Sequence, residues 1–339
     1  MKPIFSFLMI PENISRRTAI RQTFCFSAAL LAGRLPAFGA SAESSAAGAT
    51  HFTMIGDWGR HDDMTQQKAV AKGMIDYMVE RTIRPEAMFF LGDNFYGQMP
   101  GGVKCPRWKT QYSAIYPPAA FPGPCHAILG NHEYDDQPKV KVEAELGYAK
   151  YKPTTRWNMP NKWYRLDIGP EEKPLMTVLC LDSNYSNQRD QLTPAEKAEQ
   201  LAWLKAELAK PRKAPWLVVN GHHPLYSNGK YGDFPEMIEE WDALFREHKV
   251  HFYFCGHEHD LQHLELEDHP TSFVISGGGG APIRPLQPGK ERGPFGQAVA
   301  GFTHLEVTHE QFIVRHVDKD SNILHAFSKD PDGTWRVLG

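Results

Sequence analysis

The sequence is poor in several things, and each shortage removes a class of protein. Five cysteines in 339 residues are too few for a disulfide scaffold, and none falls in the C-x-x-C spacing of a cysteine-ligated zinc site. The formal charge is only −3, so there is no basic surplus to hold nucleic acid. No apolar run approaches the ~20 residues that cross a bilayer. No internal repeat and no evident linker divides the chain. The run Gly277 to Gly280 is not followed by the Lys-Ser/Thr pair of a P-loop, so it reads as a tight backbone turn and not a phosphate cradle. What remains is ordinary globular composition, 41% apolar and 23% charged, with enough apolar content for a sizeable core.

The first 42 residues read as an export signal. Arg16-Arg17 precedes the mostly apolar stretch 23–33, and Ala40-Ser41-Ala42 supplies small residues in an A-x-A pattern. The paired arginines point to the twin-arginine export machinery and a periplasmic or secreted product. A short membrane anchor is the competing reading, but the run is too short to span. Removing this segment takes away Lys2, Arg16, Arg17, Arg21 and Arg34 but only one acid, Glu12, so the remainder is more acidic. Residues 43–50 are Ala/Ser/Gly-rich and read as a flexible leader, leaving 51–339 as one catalytic domain. Cys25 departs with the signal. Cys180 and Cys255 sit in apolar runs and read as buried small hydrophobes. Cys105 and Cys125 lie in Pro/Gly-rich sequence, where an oxidising compartment would allow them to pair.

From residue 51 the pattern is strand, loop, helix, repeated. Short apolar runs at 51–55, 87–91 and 126–129 each stop at a Gly followed by a polar residue: Gly56-Asp57, Gly92-Asp93-Asn94-Phe95-Tyr96, Gly130-Asn131-His132-Glu133. Residues 64–81 carry Ala69, Ala71, Met74, Ile75, Met78 and Val79 at helical spacing. A shorter helical piece is expected at 108–116. Further strands are expected at 163–168, 175–181 and 216–219, the last ending at Gly221-His222-His223-Pro224. Thr193 and Pro194 form a good helix start, as N-cap and N1, with Leu201, Trp203, Leu204 and Leu208 to bury. A helix at 234–248 precedes the run Val250 to Cys255, which ends at Gly256-His257-Glu258-His259. After that, short β-like segments at 261–266, 272–276, 302–307, 311–317 and 323–327 suggest antiparallel strands closing a second sheet. Parallel strands joined by crossover helices gather ligands beyond their carboxyl ends.

Seven polar residues collect at that edge: Asp57, Asp93, Tyr96, Asn131, His222, His257 and His259. Two carboxylates and a phenol are hard donors, whereas three imidazoles and an amide suit a borderline divalent ion, so the set fits two different metals. Taken singly, each has a structural explanation as a turn, cap or packing residue. Seven at successive strand ends do not.

In order and spacing, the five Gly-led motifs resemble the metallophosphoesterase superfamily, and within it the purple acid phosphatases, with the small tartrate-resistant animal form and bacterial relatives nearest. Arg156-Trp157-Asn158-Met159-Pro160, Tyr164-Arg165-Leu166 and Leu261-Gln262 extend the likeness over nearly all of 51–280. The resemblance implies an α/β fold, a four-layer α/β/β/α sandwich of two mixed sheets flanked by helices. It implies that Asp57, Tyr96 and His259 bind Fe(III), that Asp93 bridges, and that Asn131, His222 and His257 hold a divalent Fe, Zn or Mn. His132 would contact phosphate or protonate the leaving group. The implied reaction is hydrolysis of phosphate monoesters by metal-bound hydroxide without a phosphoenzyme. The chain departs from the animal enzymes at Lys230-Tyr231, where they resemble Glu-His, and at His223, in a place usually held by Tyr or Ser. Lys230 is thus a candidate point-charge contact to phosphate, and His223 reads as a local hydrogen-bonding residue. Two alternatives stay open: a phosphodiesterase or nucleotide or phospholipid hydrolase on the same fold, and an inactive binding protein. His61, His263 and His304 either line the pocket or lie elsewhere.

Overall fold

A computed structural model describes residues 48–185, 191–289 and 292–338. The segment read as an export signal and most of that read as a leader lie outside them. The leader also ends sooner than the composition suggested, because Thr50 already pairs with Val307.

The chain builds two mixed sheets. It begins the first with β1 (Thr50–Ile55), β2 (Ala87–Phe90), β3 (Cys125–Ala127) and β4 (Trp157–Asn158), which run parallel in that order. It then lays down the second, with β5 (Tyr164–Ile168), β6 (Met176–Cys180), β7 (Trp216–Asn220), β8 (Phe252–Cys255), β9 (Leu261–Leu264), β10 (Ser272–Ser276) and β11 (Phe295–Gln297). The spatial order there is β11-β9-β10-β8-β7-β6-β5, with β6, β7, β8 and β10 parallel. Finally β12 (Gly301–Val307), β13 (Phe312–Asp318), β14 (Ile323–Lys329) and β15 (Trp335–Val337) return to the first sheet as an antiparallel meander beside β1. This corrects the expectation for the late strands. Only β9, β10 and β11 join the second sheet, and the last hairpins extend the first. Alternation along a strand fixes which residues face a core, but it does not say which sheet edge the strand joins.

Alternation also shows the layers. Val178, Cys180, Trp216, Val218, Phe252, Phe254 and Val274 pack with Phe52, Met54, Phe89, Phe302 and Val314 in one core. Their strand neighbours Leu179, Leu217, Val219, Tyr253, Phe273 and Ile275 face the other way, onto Leu204, Leu208, Trp241 and Phe245. Both faces of the second sheet are therefore covered, which is why its central strands read as unbroken apolar runs.

Helix α1 (Thr65–Glu80) buries Val70, Met74, Tyr77 and Met78, at i, i+4, i+7 and i+8, and leaves Val79 72% exposed. Helix α2 (Pro138–Tyr151) had no apolar stripe to announce it, since its buried face includes Lys141 and Glu145. Helix α3 (Pro194–Leu208) starts as read: Thr193 Oγ1 accepts from the Glu196 amide at 3.2 Å, and the Glu196 carboxylate accepts from the Thr193 amide at 2.8 Å. The helix read at 234–248 is present but is interrupted by a π-helical turn at Ile238–Asp242. Cys105 and Cys125 do not pair. Both are free and buried, and Cys125 belongs to β3, where it accepts from Arg156 Nη1 at 3.2 Å. Cys180 and Cys255 are buried as expected.

One fold feature makes stability depend on pH. His251 is buried in a fixed neutral tautomer: Nδ1 accepts from the Leu217 amide at 3.2 Å and Nε2 donates to Pro331 O at 3.1 Å. Burial lowers its pKa to about 4. The fold therefore binds fewer protons at this ring than the unfolded chain does. The stabilisation is complete above ~6.5 and is lost as pH falls toward about 4. Between pH 7 and 4.5, unfolding free energy is expected to fall by roughly 2–3 kcal/mol through this ring. In urea titrations His251→Asn should be less stable at pH 7 and show a correspondingly smaller drop. An identical drop in both proteins would exclude His251 as the source.

Candidate metal centre

All seven polar residues lie where the carboxyl edges of the two sheets meet. Asp57 follows β1, Asp93 and Tyr96 follow β2, and Asn131 follows β3. His222 follows β7, and His257 and His259 follow β8. The edges are stitched together by backbone: Gly56 N donates to Ser276 O at 2.7 Å and Gly279 N to Gly56 O at 3.2 Å. The Gly277–Gly280 run bends close beside the Gly56 and Glu258 turns. A Cβ on Gly277 would lie 1.8 Å from Glu258 O, so only glycine lets the two turns approach. Asp57, Asp93 and His257 have φ of 59°, 53° and 66°, a left-handed conformation that costs such residues on the order of 1–3 kcal/mol each. Three candidate ligands thus carry backbone strain that the surrounding structure enforces.

The polar atoms form two triangles. In the first, Tyr96 Oη is 3.4 Å from Asp57 Oδ1, His259 Nε2 is 3.5 Å from the same oxygen, and Tyr96 Oη and His259 Nε2 are 3.5 Å apart. In the second, Asn131 Oδ1 is 2.8 Å from His257 Nδ1 and 3.1 Å from His222 Nε2, and those two nitrogens are 3.3 Å apart. Asp93 Oδ1 lies 3.4 Å from His222 Nε2 of the second triangle, Oδ2 lies 3.9 Å from His132 Nε2, and its charge is felt at Tyr96 of the first. The His-x-His pair serves both triangles, His257 one and His259 the other.

Hydrogen bonds at the far side of each ring orient the donors. His222 Nδ1 donates to Leu91 O at 2.8 Å and His259 Nδ1 to Pro282 O at 2.7 Å, which turns both Nε2 atoms into the cluster. Burial pushes the Asp57 carboxyl well above the usual carboxylate range, and His222 pulls the other way. Burial would raise Asp93 too, but the His222 and His132 imidazoles hold it well below that range. Burial lowers His222, yet Asp93 and Asp57 raise it to about 9. Tyr96 is driven well above 10 by burial and by the two aspartates.

The residues fit metal ions. A triangle with 3.4–3.5 Å edges leaves its corners about 2 Å from a common centre, the length of a metal–oxygen or metal–nitrogen bond. Asp57, Asp93 and His222 also place ligand atoms within 4.8 Å of one another, as do His222, His223 and His257. His223 is nevertheless held elsewhere, with Nδ1 on Ser183 Oγ at 2.9 Å, in keeping with its reading as a hydrogen-bonding residue. His132 lies against Tyr96, ring centroids 4.0 Å apart, with Nδ1 on Asp135 Oδ2 at 2.9 Å, so Nε2 faces the cluster. Lys230 is exposed at the rim. Of the three open histidines, His263 is buried against His325 and Glu265, His304 against His51 and Tyr77, and His61 is exposed beside Gly97.

The supporting residues were not legible in the sequence. Buried Glu133 accepts from the amides of Asp93 (2.9 Å), Phe95 (2.9 Å) and Gly130 (2.7 Å), tying two ligand loops together. Burial raises its pKa to about 7. Arg107 donates to Tyr96 O at 2.8 Å and Gly59 O at 2.9 Å, fixing the tyrosine loop. Ser183 Oγ accepts from the His222 and His223 amides at 3.0 and 2.8 Å. Glu258 Oε1 accepts from the Tyr231 amide at 2.7 Å and Ser227 Oγ at 3.1 Å, binding the 226–232 loop to the His-x-His turn. Only Glu133 and Glu258 sat inside motifs, and nothing there marked their roles.

Comparison with known proteins agrees with this geometry. The family model for calcineurin-like phosphoesterases matches residues 50–261. The chain is 28% identical over 302 residues to tartrate-resistant acid phosphatase type 5 of Sus scrofa, covering 80% of this chain and 84% of that protein. Among solved structures it is similar to a purple acid phosphatase from yellow lupin seeds (TM-score 0.64, 20% identity, 85% of this chain and 54% of that one). It is also similar to GAP50, the anchor in the inner membrane complex of Plasmodium (TM-score 0.70, 20% identity, 82% and 87%). The two structural likenesses speak for the α/β/β/α fold alone.

Proposed function

The chain belongs to the calcineurin-like phosphoesterase family, and from that premise we propose that it is an exported acid phosphatase acting on small phosphate monoesters at a dinuclear Fe(III)–M(II) centre. Asp57, Tyr96 and His259 would hold the ferric ion, Asn131, His222 and His257 would hold the divalent Fe, Zn or Mn, and Asp93 would serve both. The observation that carries this reading is the pair of donor triangles, one with a phenol and the other with an amide and two imidazoles. When bound, the two ions supply Lewis acidity toward the phosphoryl oxygens and an acidified water as nucleophile. The chain's own residues do the rest. The Leu91 and Pro282 carbonyls hold the imidazole tautomers, and Glu133 and Arg107 hold the ligand loops. His132, whose Nδ1 donates to Asp135, turns Nε2 toward the cluster, where the imidazolium form can donate to the departing alkoxide.

The test is a visible spectrum with metal analysis on the same purified sample. Tyrosinate-bound Fe(III) gives a charge-transfer band and one or two irons per chain. Tyr96→Phe should lose the band while keeping at least one metal. A wild-type protein that is colourless and holds two Zn or Mn would remove the ferric assignment. Rates on paired chromogenic monoester and diester substrates check the ester preference, and a faster diester reaction would overturn it.

A further inference from the structure

Beside His257 the structure carries a layered arrangement that cleavage of a simple phosphate ester does not require. The Tyr231 ring lies 4.6 Å from the His257 ring and is 46% exposed. The Arg284 guanidinium lies 4.8 Å from the Tyr231 ring centroid. Arg284 Nη1 reaches the His257 carbonyl at 3.3 Å, and among the described residues no carboxylate lies within ion-pair distance of it. Arg284 is nevertheless only partly exposed, and its charge is felt at Asp57, His257 and His259. A guanidinium drawn in beside the centre with a carbonyl and an aromatic face as partners, and no carboxylate, is suited to an anion that arrives with the substrate.

The arrangement is built, not incidental. The Arg284 amide donates to His259 O at 3.4 Å, the Gln287 amide to Asn228 O at 2.8 Å, and Gln287 Nε2 to Lys230 O at 2.9 Å. Glu258 fixes the opposite loop through the Tyr231 and Gly232 amides at 2.7 and 3.3 Å. Arginine and tyrosine are thus carried on two loops joined to each other and to the ligand turn. On the proposed reading the transferred phosphoryl group already has two ions and His132. The charge at Arg284 is left for the other end of the ester.

We propose that Arg284 and Tyr231 form a leaving-group subsite that selects phosphate monoesters bearing a second anionic group, a carboxylate or a second phosphate. The guanidinium pairs with that anion, and the Tyr231 ring covers the carbon chain between the two ends. This rests on the phosphomonoesterase reading, so the decisive measurement is binding without turnover. Calorimetric titration of the full metal-loaded protein would compare propylphosphonate, 3-phosphonopropanoate and propane-1,3-diphosphonate. Wild type is expected to bind the two charged-tail ligands at least tenfold more tightly. Arg284→Met should erase that advantage while leaving propylphosphonate within twofold, and Arg284→Lys should restore only part of it, lacking the fork geometry. A preference only for the carboxylate or only for the phosphonate tail would name the anion. Equal binding of all three ligands by wild type overturns the subsite. Equal weakening of all three in Arg284→Met, with an unchanged melting curve, assigns Arg284 to the phosphoryl group and also overturns it. If wild type shows the binding preference but hydrolyses neither propyl phosphate nor 3-phosphooxypropanoate, the phosphatase reading fails and the subsite stands.

Discussion

Asp93→Asn is expected to lower kcat/KM on a phosphate monoester by about a thousandfold or more, the equivalent of roughly 4 kcal/mol of transition-state stabilisation. The side chain lies beside the second donor triangle, with Oδ1 3.4 Å from His222 Nε2, and its charge is felt at Tyr96 of the first. Asparagine offers one oxygen in place of two and no charge, so it cannot join two cations. The backbone should be unaffected, because Glu133 accepts from the residue-93 amide whatever the side chain. Metal content by mass spectrometry should drop to one ion or fewer per chain, with an unchanged circular dichroism spectrum. Retention of two ions and a tenth of the activity would show that Asp93 is not the bridge.

His132→Ala is expected to reduce kcat by about 10²–10³ on alkyl phosphates and by tenfold or less on p-nitrophenyl phosphate. An alkoxide needs a proton to leave, whereas a nitrophenolate leaves unaided. Asp135→Asn should show the same pattern at smaller amplitude, since the Asp135 carboxylate only orients the ring, 2.9 Å from Nδ1. A loss that does not depend on the leaving group would instead assign His132 to phosphate binding. The metal content of His132→Ala should match wild type, because His132 belongs to neither triangle.

The candidate ligands were legible because they obey a local rule: each stands at or just beyond a Gly that ends an apolar run, and strand ends of parallel sheets converge. The structure brings all seven together. What was not legible acts through backbone groups on elements distant in sequence. Ser183 holds the His222 amide 39 residues away. Arg107 holds Tyr96 and Gly59 through their carbonyls, which leave no trace in side-chain pattern. Arg284 sits in a Pro-rich stretch that reads as plain loop. Lys230 reads from the sequence as a candidate point-charge contact to phosphate, but it is exposed, and Arg284 is the cation drawn in beside the centre. Helix α2 hid because a buried lysine and glutamate replace the apolar stripe: Lys141 donates to His132 O, and Glu145 accepts from Asn94 Nδ2 at 2.9 Å.

The place of β1 sets an order of events during synthesis. One of its edges pairs with β2, which follows it closely, but the other pairs with β12, from Thr50 opposite Val307 to Met54 opposite Thr303. All seven candidate ligands are translated by residue 259, before the strand that closes that second edge. Until then β1 presents an open strand edge, a site for wrong pairing with a neighbouring nascent chain. The contact is also among the most remote in sequence, a type of pairing that slows folding. Asp57, the first ligand translated, is therefore among the last to be seated. Seating of Asp57 between both of its strand partners therefore waits until β12 has been made.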